Sequence, residues 1–263
     1  MKLDAGCNRP PFCHAQSQPN QAPAARASPL HPSRSPNARD AGAASRQALD
    51  RRLEHKPLLA GTYDREESNL MKEHLHPGGV CFDIGAQAGY HTLYASLTVG
   101  PTGRVFAFEP APGNIANIRK HVAMNRLSNV TIVEAAVSDC NGVAHFDCAG
   151  SAVSGHLCAE GGLAVRTISL DQEIDSGALP EADYIKIDAE GAELRILQGA
   201  RKWLARRHPT LSVETHQWLP GFPTVREDCV RFLFELGYTL AEPNPSDKDK
   251  DTHLCAASSP LPS

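Results

Sequence analysis

Short apolar runs alternate with segments of helical periodicity from about residue 63 to residue 258. Five of the runs are rich in β-branched and aromatic residues and predict buried strands. They cover residues 80–84, 104–110, 130–136, 184–188 and 210–216. The segments between them carry apolar residues at every third or fourth position and predict helices. Strands that alternate with helices favour an α/β fold, with a mostly parallel sheet and helices on both faces.

Helix and turn signals set the limits of the predicted domain. Asp64 is a suitable N-cap for an opening helix, which ends at the Pro-Gly pair before the first strand. A long amphipathic helix opens at Gly191 and runs to Leu204, and a further helix covers residues 225–236. Two short strands around a charged turn then form a closing hairpin. We therefore predict a folded domain at residues 63–258.

Residues 1–55 differ in composition from the rest of the chain. Pro, Ala, Ser and Arg dominate this segment, which shows no sustained hydrophobic periodicity. Such a segment cannot bury enough apolar surface to offset its ordering entropy, so we expect a disordered extension. Its basic character is also compatible with an organellar transit peptide. A secretory signal is excluded because the segment lacks the apolar core of such peptides.

Between residues 140 and 170 the pattern changes to short alternating pieces around a glycine-rich run at 149–162. This run has the composition of a flexible cover loop. Cysteine and histidine occur in this region at Cys140, His145, Cys148, His156 and Cys158. Their spacing lacks the closely paired ligands of structural zinc sites, so we predict no zinc site here.

Composition and charge argue against several functional classes. The 263 residues carry a formal net charge of −4, without the basic excess that holds a phosphate backbone. General nucleic-acid binding is therefore not expected. No apolar run approaches the roughly 18 residues of a membrane span. The eight cysteines form no Cys-x-x-Cys pair, which favours reduced cysteines and a cytoplasmic protein. No pattern indicates an oligomeric state.

The decapeptide VCFDIGAQAG at residues 80–89 predicts a strand that runs into a glycine turn and a helix. Gly85, Ala86 and Gly89 leave room for backbone amides to approach a ligand. Asp83 precedes the first glycine by two residues, where it would repel a pyrophosphate and attract an ammonium group. The spacing Asp-x-Gly-x-x-x-Gly also differs from the Gly-x-Gly-x-x-Gly of dinucleotide folds. We therefore predict a site for S-adenosylmethionine.

Glu109 ends the second predicted strand, about twenty residues beyond the glycine turn. At this separation a βαβ unit places a carboxylate opposite the ribose hydroxyls of a ligand. Pro110 follows it directly. Ala135 and Ala136 end the third predicted strand and are small enough for an adenine ring to lie against them. We assign these four residues to the cofactor site.

A second group of ionisable residues falls at the ends of the fourth and fifth predicted strands. Lys186 and Asp188 alternate onto one strand face, and Glu190 lies in the following turn. Glu214 and His216 share a face of the next strand. Ligands bind at the carboxyl ends of strands in a doubly wound sheet, so this group should face the ligand edge. A Lys–Asp pair and a strand-end hydrogen bond are structural alternatives for the same residues.

Four blocks resemble the FkbM family of S-adenosylmethionine-dependent methyltransferases, in the order of that family. They are FDIGAQAGYHTLYAS at 82–96, VFAFEPAPGN at 105–114, DYIKIDAEGAE at 183–193 and VETH at 213–216. The resemblance covers about residues 66–258. It implies the Rossmann-like class I methyltransferase fold, whose seven-stranded sheet is mostly parallel. Gln87 stands where the family usually has Asn, and Ala189 stands where it usually has Val.

The resemblance also implies S-adenosylmethionine as cofactor and O-methylation of a hydroxyl on a small molecule or sugar. By its place in the matched turn, Gln87 is assigned to the cofactor. His91 starts the following helix and is expected to pack beside the methionine tail. Two other classes stay open: a methyltransferase of this fold acting on nitrogen, protein or RNA, and a non-catalytic cofactor-binding module.

Methyl transfer to an alcohol needs alignment of the reactants and removal of one proton. A neutral imidazole is well suited to accept that proton near pH 7. His216 is therefore predicted as the base, with Glu214 and Asp188 to orient it or to shape the acceptor pocket, and His91 is a second candidate. A divalent metal on Asp188, Glu214 and His216 is an alternative, but no close ligand pair from one helix supports it and no metal is predicted.

Overall fold

The computed structural model describes residues 64–147, 156–158, 162–216, 225–240 and 252–257. The predicted extension at 1–55 and most of the predicted cover loop lie outside these ranges, so both stay predictions. Within the described ranges, no helix combines the length and the apolar character that crossing a lipid bilayer requires.

The described residues form one sheet of seven strands and a second sheet of four. The strands are β1 (Val80–Ile84), β2 (Arg104–Phe108), β3 (Val130–Val133), β4 (Ala136–Val137), β5 (Gly142–Asp147), β6 (His156–Cys158), β7 (Leu163–Ile168), β8 (Tyr184–Asp188), β9 (Thr210–Thr215), β10 (Thr239–Leu240) and β11 (Thr252–Ala257). The helices are α1 (Arg65–His74), α2 (Tyr90–Val99), α3 (Pro112–Met124), α4 (Leu170–Asp175), α5 (Glu193–Gly199), α6 (Arg201–Arg207) and α7 (Val225–Glu235). The alternation of strands and helices in the main sheet confirms the predicted α/β class.

The main sheet has the strand order β3-β2-β1-β8-β9-β11-β10. Its neighbours pair in parallel except at β11, which runs antiparallel to both β9 and β10. This arrangement confirms the predicted class I methyltransferase sheet and its closing hairpin. The chain order reverses at β1, which lies between β2 and β8, and such a switch point opens a crevice at the carboxyl ends of the strands.

The strand register brings the predicted site segments to one edge. Ile84, at the end of β1, pairs with Phe108 on one side and with Ile187 on the other. Asp188, at the end of β8, pairs with Glu214 of β9. The glycine turn, Glu109 and the ionisable residues of β8 and β9 therefore all leave the sheet at the same edge.

The predicted strand at 130–136 was wrong in its extent. It is two strands in different sheets, because β3 ends at Val133 and β4 opens at Ala136 and pairs with β7. The backbone N–H of Ala135 donates to the carbonyl of Val133, which turns the chain sharply between the two. The second sheet, in the order β4-β7-β5-β6, thus begins beside the ligand edge of the main sheet.

The predicted helix at 191–204 is also divided, into α5 and α6. Ala200 lies between them with φ −113° and ψ 5°, outside the helical region. The carboxylate of Asp171 accepts hydrogen bonds from the backbone N–H groups of Lys202 and Trp203, which starts the second helix anew. The backbone at Gly199 also approaches Ser138 closely, since a Cβ there would lie 2.1 Å from the Ser138 carbonyl oxygen. The division therefore follows from contacts distant in sequence.

The opening helix is capped as predicted, and it also carries a buried acid. Asp64 accepts a hydrogen bond from the Glu67 backbone N–H. Glu67 is buried on the sheet, where its carboxylate accepts hydrogen bonds from the hydroxyls of Tyr184 and Ser212. Because buried carboxylates need such partners, this network fixes α1 against β8 and β9.

Aromatic side chains pack around Phe82 of β1 in the largest part of the core. Phe82 is fully buried and meets Phe108 at a ring distance of 5.3 Å and Trp203 of α6 at 5.8 Å.

Cys81 and Cys229 are free and buried, whereas Cys140 is disulfide-bonded. Most of the cysteines were expected to be reduced, and Cys140 is an exception; the cytoplasmic location stays a prediction.

Candidate active site

The glycine turn after β1 lies against the end of β8. Gly85 has φ 77°, and a Cβ there would lie 1.8 Å from the carbonyl oxygen of Asp188. Only glycine meets both conditions, because other residues are strained at this φ and their side chain would collide with backbone. The N–H groups of Gly85 and Ala86 donate to the carbonyl of Phe108, which ties the turn to β2 as well.

A cavity opens beside this turn, at the carboxyl ends of the strands, where ligands bind in a doubly wound sheet. The lining residues come from β1 and β2 with the segments that follow them, from α3, from the segment before β4, from the second sheet, and from β8 and α5 with the turn between them. They are Ile84, Gly85, Gln87, Phe108, Glu109, Pro110, Asn114, Ala135, Ala136, Val137, Phe146, Asp188, Ala189, Glu190, Ala192 and Ile196. We call this space the cofactor cavity.

Glu109 is held in the wall of the cofactor cavity by backbone groups. Its side chain accepts a hydrogen bond from the N–H of Gln87 at 2.9 Å and another from the N–H of Ala111 at 2.8 Å. Burial raises the pKa of Glu109 to about 7, against the opposing effect of these two hydrogen bonds and of Asn114. Each carboxylate oxygen has a further lone pair, so the group can still accept hydrogen bonds from ribose hydroxyls.

The opposite end of the cofactor cavity is apolar. Ala135 and Ala136 lie there as predicted, together with Val137 of β4 and Phe146 of β5. An adenine ring is flat and apolar on its faces, so small side chains on one side and an aromatic ring on another suit it. Phe146 was missed from the sequence because it belongs to the second sheet, whose position against the first was not predicted.

Asp83 lies behind the cofactor cavity and does not line it. It is fully buried, and its Oδ2 accepts a hydrogen bond from the Thr92 hydroxyl at 2.5 Å. Its Oδ1 lies 3.8 Å from Lys186 Nζ and has no hydrogen-bond partner in the described part of the chain. An ammonium group would satisfy this buried oxygen, and the contact of Asp83 with the amino group of the cofactor stays a prediction.

Three further residues predicted for the cofactor site lie outside the cavity lining. Ala86 and Gly89 shape the turn, and a Cβ at Gly89 would lie 3.3 Å from Ile118 of α3. His91 is buried, and its Nε2 lies 3.2 Å from Asp64 Oδ2 at the start of α1. His91 therefore links α1 to the start of α2, and its charge contributes to the lowered pKa of Asp188.

A cluster of ionisable side chains adjoins the other wall of the cavity. We call it the β8–β9 cluster, and it consists of Asp188, Glu190, Glu193, Glu214 and His216. His216 Nε2 lies 3.7 Å from Asp188 Oδ1, 3.7 Å from Glu190 Oε2 and 4.0 Å from Glu214 Oε1. Asp188 and Glu190 also line the cofactor cavity, so the cluster and the cavity share a boundary.

Glu193 is the member of this cluster that the sequence did not reveal. It is fully buried at the start of α5, where its Oε1 accepts hydrogen bonds from the N–H of Gly191 and from the N–H of Ala189. The same oxygen lies 3.0 Å from His216 Nδ1. A glutamate in the first turn of a helix normally faces solvent and favours the helix N-terminus, so its burial gave no sequence signal.

Burial lowers the pKa of His216, but the hydrogen bond to Glu193 and the charges of Glu193, Asp188 and Glu190 outweigh this and raise it to about 9. At Asp188 burial has the opposite effect and raises the pKa. The charges of Lys186 and His216 outweigh this effect, so the pKa of Asp188 lies below its usual value. His216 in this state is mostly protonated at pH 7. A mechanism that uses His216 as the base therefore requires alkaline pH or a change in its surroundings.

Lys186 connects the cluster to Asp83. Its Nζ donates to Asp188 Oδ2 at 3.1 Å, which confirms that the two side chains share a face. The residue is buried, which by itself lowers its pKa, but Asp188 and Asp83 outweigh this and hold the pKa above its usual value. Lys186 is therefore a permanent cation between the cavity wall and the buried acid.

The matched segments of the chain coincide with this site. A family model for the methyltransferase FkbM domain matches residues 83–240. This chain belongs to the FkbM methyltransferase family. The match runs from Asp83 in β1 to Leu240 in β10, so it contains the glycine turn, Glu109 and the whole β8–β9 cluster. Membership assigns S-adenosylmethionine as cofactor and methyl transfer as the class of reaction.

Relatives of known name support the family assignment. The 31-O-demethyl-FK506 methyltransferase FkbM of Streptomyces tacrolimicus is 30% identical over 220 residues, which cover 70% of this chain and 82% of that protein. The hexuronic acid methyltransferase AglP of Haloferax volcanii is 28% identical over 139 residues, or 52% of this chain and 56% of AglP. The chain therefore spans little more than half the length of AglP.

One solved structure illustrates the shared fold. A protein described as an rRNA methylase, from Clostridium thermocellum, superposes with a TM-score of 0.51 at 14% identity. The superposition covers 73% of this chain and 93% of that protein. At this identity the likeness shows the fold alone.

Proposed function

We propose that this protein transfers the methyl group of S-adenosylmethionine to a hydroxyl group of a small molecule or sugar. The main structural support for this proposal is the β8–β9 cluster, which places carboxylates and an imidazole at the boundary of the cofactor cavity. The names of similar proteins point the same way: one acts on a hexuronic acid, one is a 2-O-methyltransferase and one methylates 31-O-demethyl-FK506. Each of these names indicates an oxygen-bearing acceptor.

The cavity suggests how the cofactor binds. The ribose hydroxyls would donate to Glu109, and the adenine would lie between the alanines at 135–136 and Phe146. The methionine part would then follow the turn at 85–89 towards the buried Asp83. This orientation directs the sulfonium methyl group towards Asp188 and the rest of the β8–β9 cluster.

The reaction is an in-line displacement. The acceptor oxygen supplies the electron pair of the new C–O bond, the C–S bond breaks, and the sulfonium becomes a neutral thioether. The hydroxyl proton must leave as the bond forms, and the β8–β9 cluster offers the proton acceptors. His216 is the candidate acceptor in the protein without further ligands, with Asp188 and Glu214 beside it to orient the imidazole or the substrate.

A nitrogen acceptor or a purely binding role would give different results in one experiment. Purified protein and S-adenosylmethionine are incubated with a panel of uronic acids and sugars, each paired with the analogue that carries an amine in place of one hydroxyl. Mass spectrometry then locates the methyl group and measures S-adenosylhomocysteine. We expect methylation on oxygen. Methylation confined to the amines, or cofactor binding without turnover on the natural acceptor found in cell extract, would contradict the proposal.

A further inference from the structure

Three side chains of the β8–β9 cluster converge in the manner of metal ligands. One ligand atom each from Asp188, Glu214 and His216 lies within 4.8 Å of the other two. Asp188 and Glu214 are paired in the register of β8 and β9, and His216 directly follows β9. The backbone of two adjacent parallel strands therefore fixes the spacing of the three groups.

The imidazole is turned so that one particular nitrogen meets the two carboxylates. Its Nδ1 lies 3.0 Å from Glu193 Oε1, while Nε2 faces Asp188 at 3.7 Å and Glu214 at 4.0 Å. A histidine that binds a metal usually donates its other N–H to a carboxylate, which fixes the ring and its tautomer. Glu193 is fully buried and occupies that supporting position.

The charge balance of the cluster is negative. Asp188, Glu190, Glu193 and Glu214 contribute four carboxylates, which outnumber the two cations beside them, His216 and Lys186, and Lys186 is shared with Asp83. Moreover, Glu193 Oε2 is buried without a hydrogen-bond partner in the described part of the chain. Buried carboxylates require compensation by a cation or by hydrogen bonds, so the cluster has the charge to hold a divalent ion.

We propose that Asp188, Glu214 and His216 Nε2 bind a divalent first-row metal ion of the Mn²⁺ or Zn²⁺ type. Mixed carboxylate and imidazole ligands favour such ions over Ca²⁺ or Mg²⁺, which prefer oxygen alone. Two ligand atoms at right angles on an ion, each about 2.1 Å away, are about 3 Å apart. The three ligand atoms lie within 4.8 Å of one another, so the side chains need to close by less than about 2 Å to reach this spacing.

The chemical role of the ion rests on the function proposed above. Three protein ligands leave coordination positions for the acceptor hydroxyl, and a bound cation lowers the pKa of a hydroxyl by stabilising its anion. His216 is then a ligand, and the proton passes to Glu190, which lines the cofactor cavity 3.7 Å from Nε2. The methyl transfer itself is unchanged, with the oxygen supplying the bonding pair and the sulfonium becoming a thioether.

The metal site is tested by binding, independently of turnover. Full-length protein is freed of metals with a chelator, and Mn²⁺ is titrated in while free Mn²⁺ is followed by electron paramagnetic resonance. We expect one Mn²⁺ per chain, displaced by Zn²⁺, and at least about tenfold weaker binding in Glu214→Gln. Glu235→Gln is the matched control, because Glu235 is a carboxylate in an exposed ion pair with Arg201 far from the cluster in sequence. Its Mn²⁺ affinity should equal that of the natural chain.

Two results would overturn the site. One is the absence of stoichiometric Mn²⁺ binding at millimolar concentration, and the other is equal binding by the natural chain and a folded Glu214→Gln variant. Pulsed electron paramagnetic resonance of the natural chain with bound Mn²⁺ gives a test that needs no variant. If His216 is a ligand, the spectrum must show coupling between the Mn²⁺ electron spin and an imidazole nitrogen. Bound Mn²⁺ without that coupling would equally contradict the assignment.

The same measurements separate the metal site from the methyl-transfer proposal. Turnover that survives chelation, in protein that binds no Mn²⁺, would remove the metal and leave O-methylation standing. Stoichiometric Mn²⁺ binding in a protein that methylates only amines would confirm the metal site and contradict O-methylation.

Discussion

The cofactor cavity and the β8–β9 cluster adjoin each other at one edge of the sheet, but they are held together by different kinds of contact. In the cavity, the carboxylate of Glu109 is fixed by backbone N–H groups, and the turn at Gly85 is fixed by backbone packing. In the cluster, side chains hold side chains, as His216 does with Glu193 and Lys186 does with Asp188. The first arrangement tolerates changes in neighbouring side chains, whereas the second couples every member to the others.

The ionisation of the two regions differs for the same reason. Burial dominates at Glu109 and raises its pKa to about 7. Charged neighbours reverse the effect of burial at Asp188 and His216, so the acid is more acidic and the imidazole more basic than usual. Glu109 is therefore an acid that titrates near neutrality mainly because of its burial, whereas the cluster behaves as a coupled network.

The largest expected effect is on the turn that joins the two regions. Gly85→Ala adds a Cβ 1.8 Å from the carbonyl oxygen of Asp188, at φ 77°. We expect a loss of more than about 3 kcal/mol in the free energy of unfolding, measured by urea denaturation. Gly177→Ala is the matched control, because Gly177 has φ 76° with nothing within 4 Å of the added Cβ. The control should lose only about 1 kcal/mol, the strain of the left-handed backbone. Equal losses would show that the close approach to β8 does not matter.

The next effect is on turnover. His216→Ala removes the imidazole on which the β8–β9 cluster converges, so the rate should fall about a hundredfold or more. The affinity for S-adenosylmethionine should be unchanged, because His216 does not line the cofactor cavity. Single-turnover kinetics and calorimetry measure the two quantities. A variant that retains most of its turnover would exclude His216 from the chemistry, both as base and as ligand.

A smaller effect should appear in the titration of His216. Glu193→Gln removes the group that contributes most to raising the pKa of His216, so in metal-free protein that pKa should fall from about 9 by at least about one unit. NMR of the imidazole C–H measures this value. Glu190→Gln removes a more distant charge, 3.7 Å away, and should lower the pKa less. A larger shift in Glu190→Gln would contradict the assigned geometry.

The raised pKa of His216 also fixes the sign of its effect on stability. Its folded pKa lies above the unfolded value of about 6.5, so its contribution is fully present below pH 6.5 and is lost as the pH rises through about 9. The difference in stability between the natural chain and Glu193→Gln should shrink accordingly from pH 6 to pH 10.

The pH dependence of cofactor affinity tests the other region. The ionised carboxylate of Glu109 accepts stronger hydrogen bonds from the ribose hydroxyls than the protonated acid does, so affinity for S-adenosylmethionine should fall as the pH falls through about 7, the pKa of Glu109. Between pH 8 and pH 6 the loss should approach about tenfold. The same titration of the Glu109→Gln variant serves as the control, because any pH dependence that remains there comes from other groups, including those of the cofactor. The affinity of this variant for S-adenosylmethionine should change much less with pH. An equal dependence in both proteins would show that Glu109 is not the titrating group.

The cavity is held by local backbone contacts and the cluster by contacts between distant side chains, and this difference explains which residues could be predicted from the sequence. Gly85, Glu109 and the alanines at 135–136 line the cavity, and their places could be predicted because they depend on local spacing along β–α units. Glu193 and Phe146 were missed because their positions depend on contacts between elements distant in the chain. The contact of Asp83 with the cofactor stays a prediction, and its burial behind Lys186 could not be anticipated, since the depth of a strand-end acid depends on the neighbouring strand.

The central claim is that the cavity at the ends of β1 and β2 binds S-adenosylmethionine through Glu109, and calorimetric titration of the natural chain and of Glu109→Ala tests it most directly. A hydrogen bond to a charged group contributes about 1.5–3 kcal/mol, so Glu109→Ala should bind the cofactor at least about tenfold more weakly while its melting temperature shows that it is folded. Asp83→Ala should show a comparable loss if its buried oxygen meets the ammonium group. Unchanged affinity in a folded Glu109→Ala protein would contradict the account.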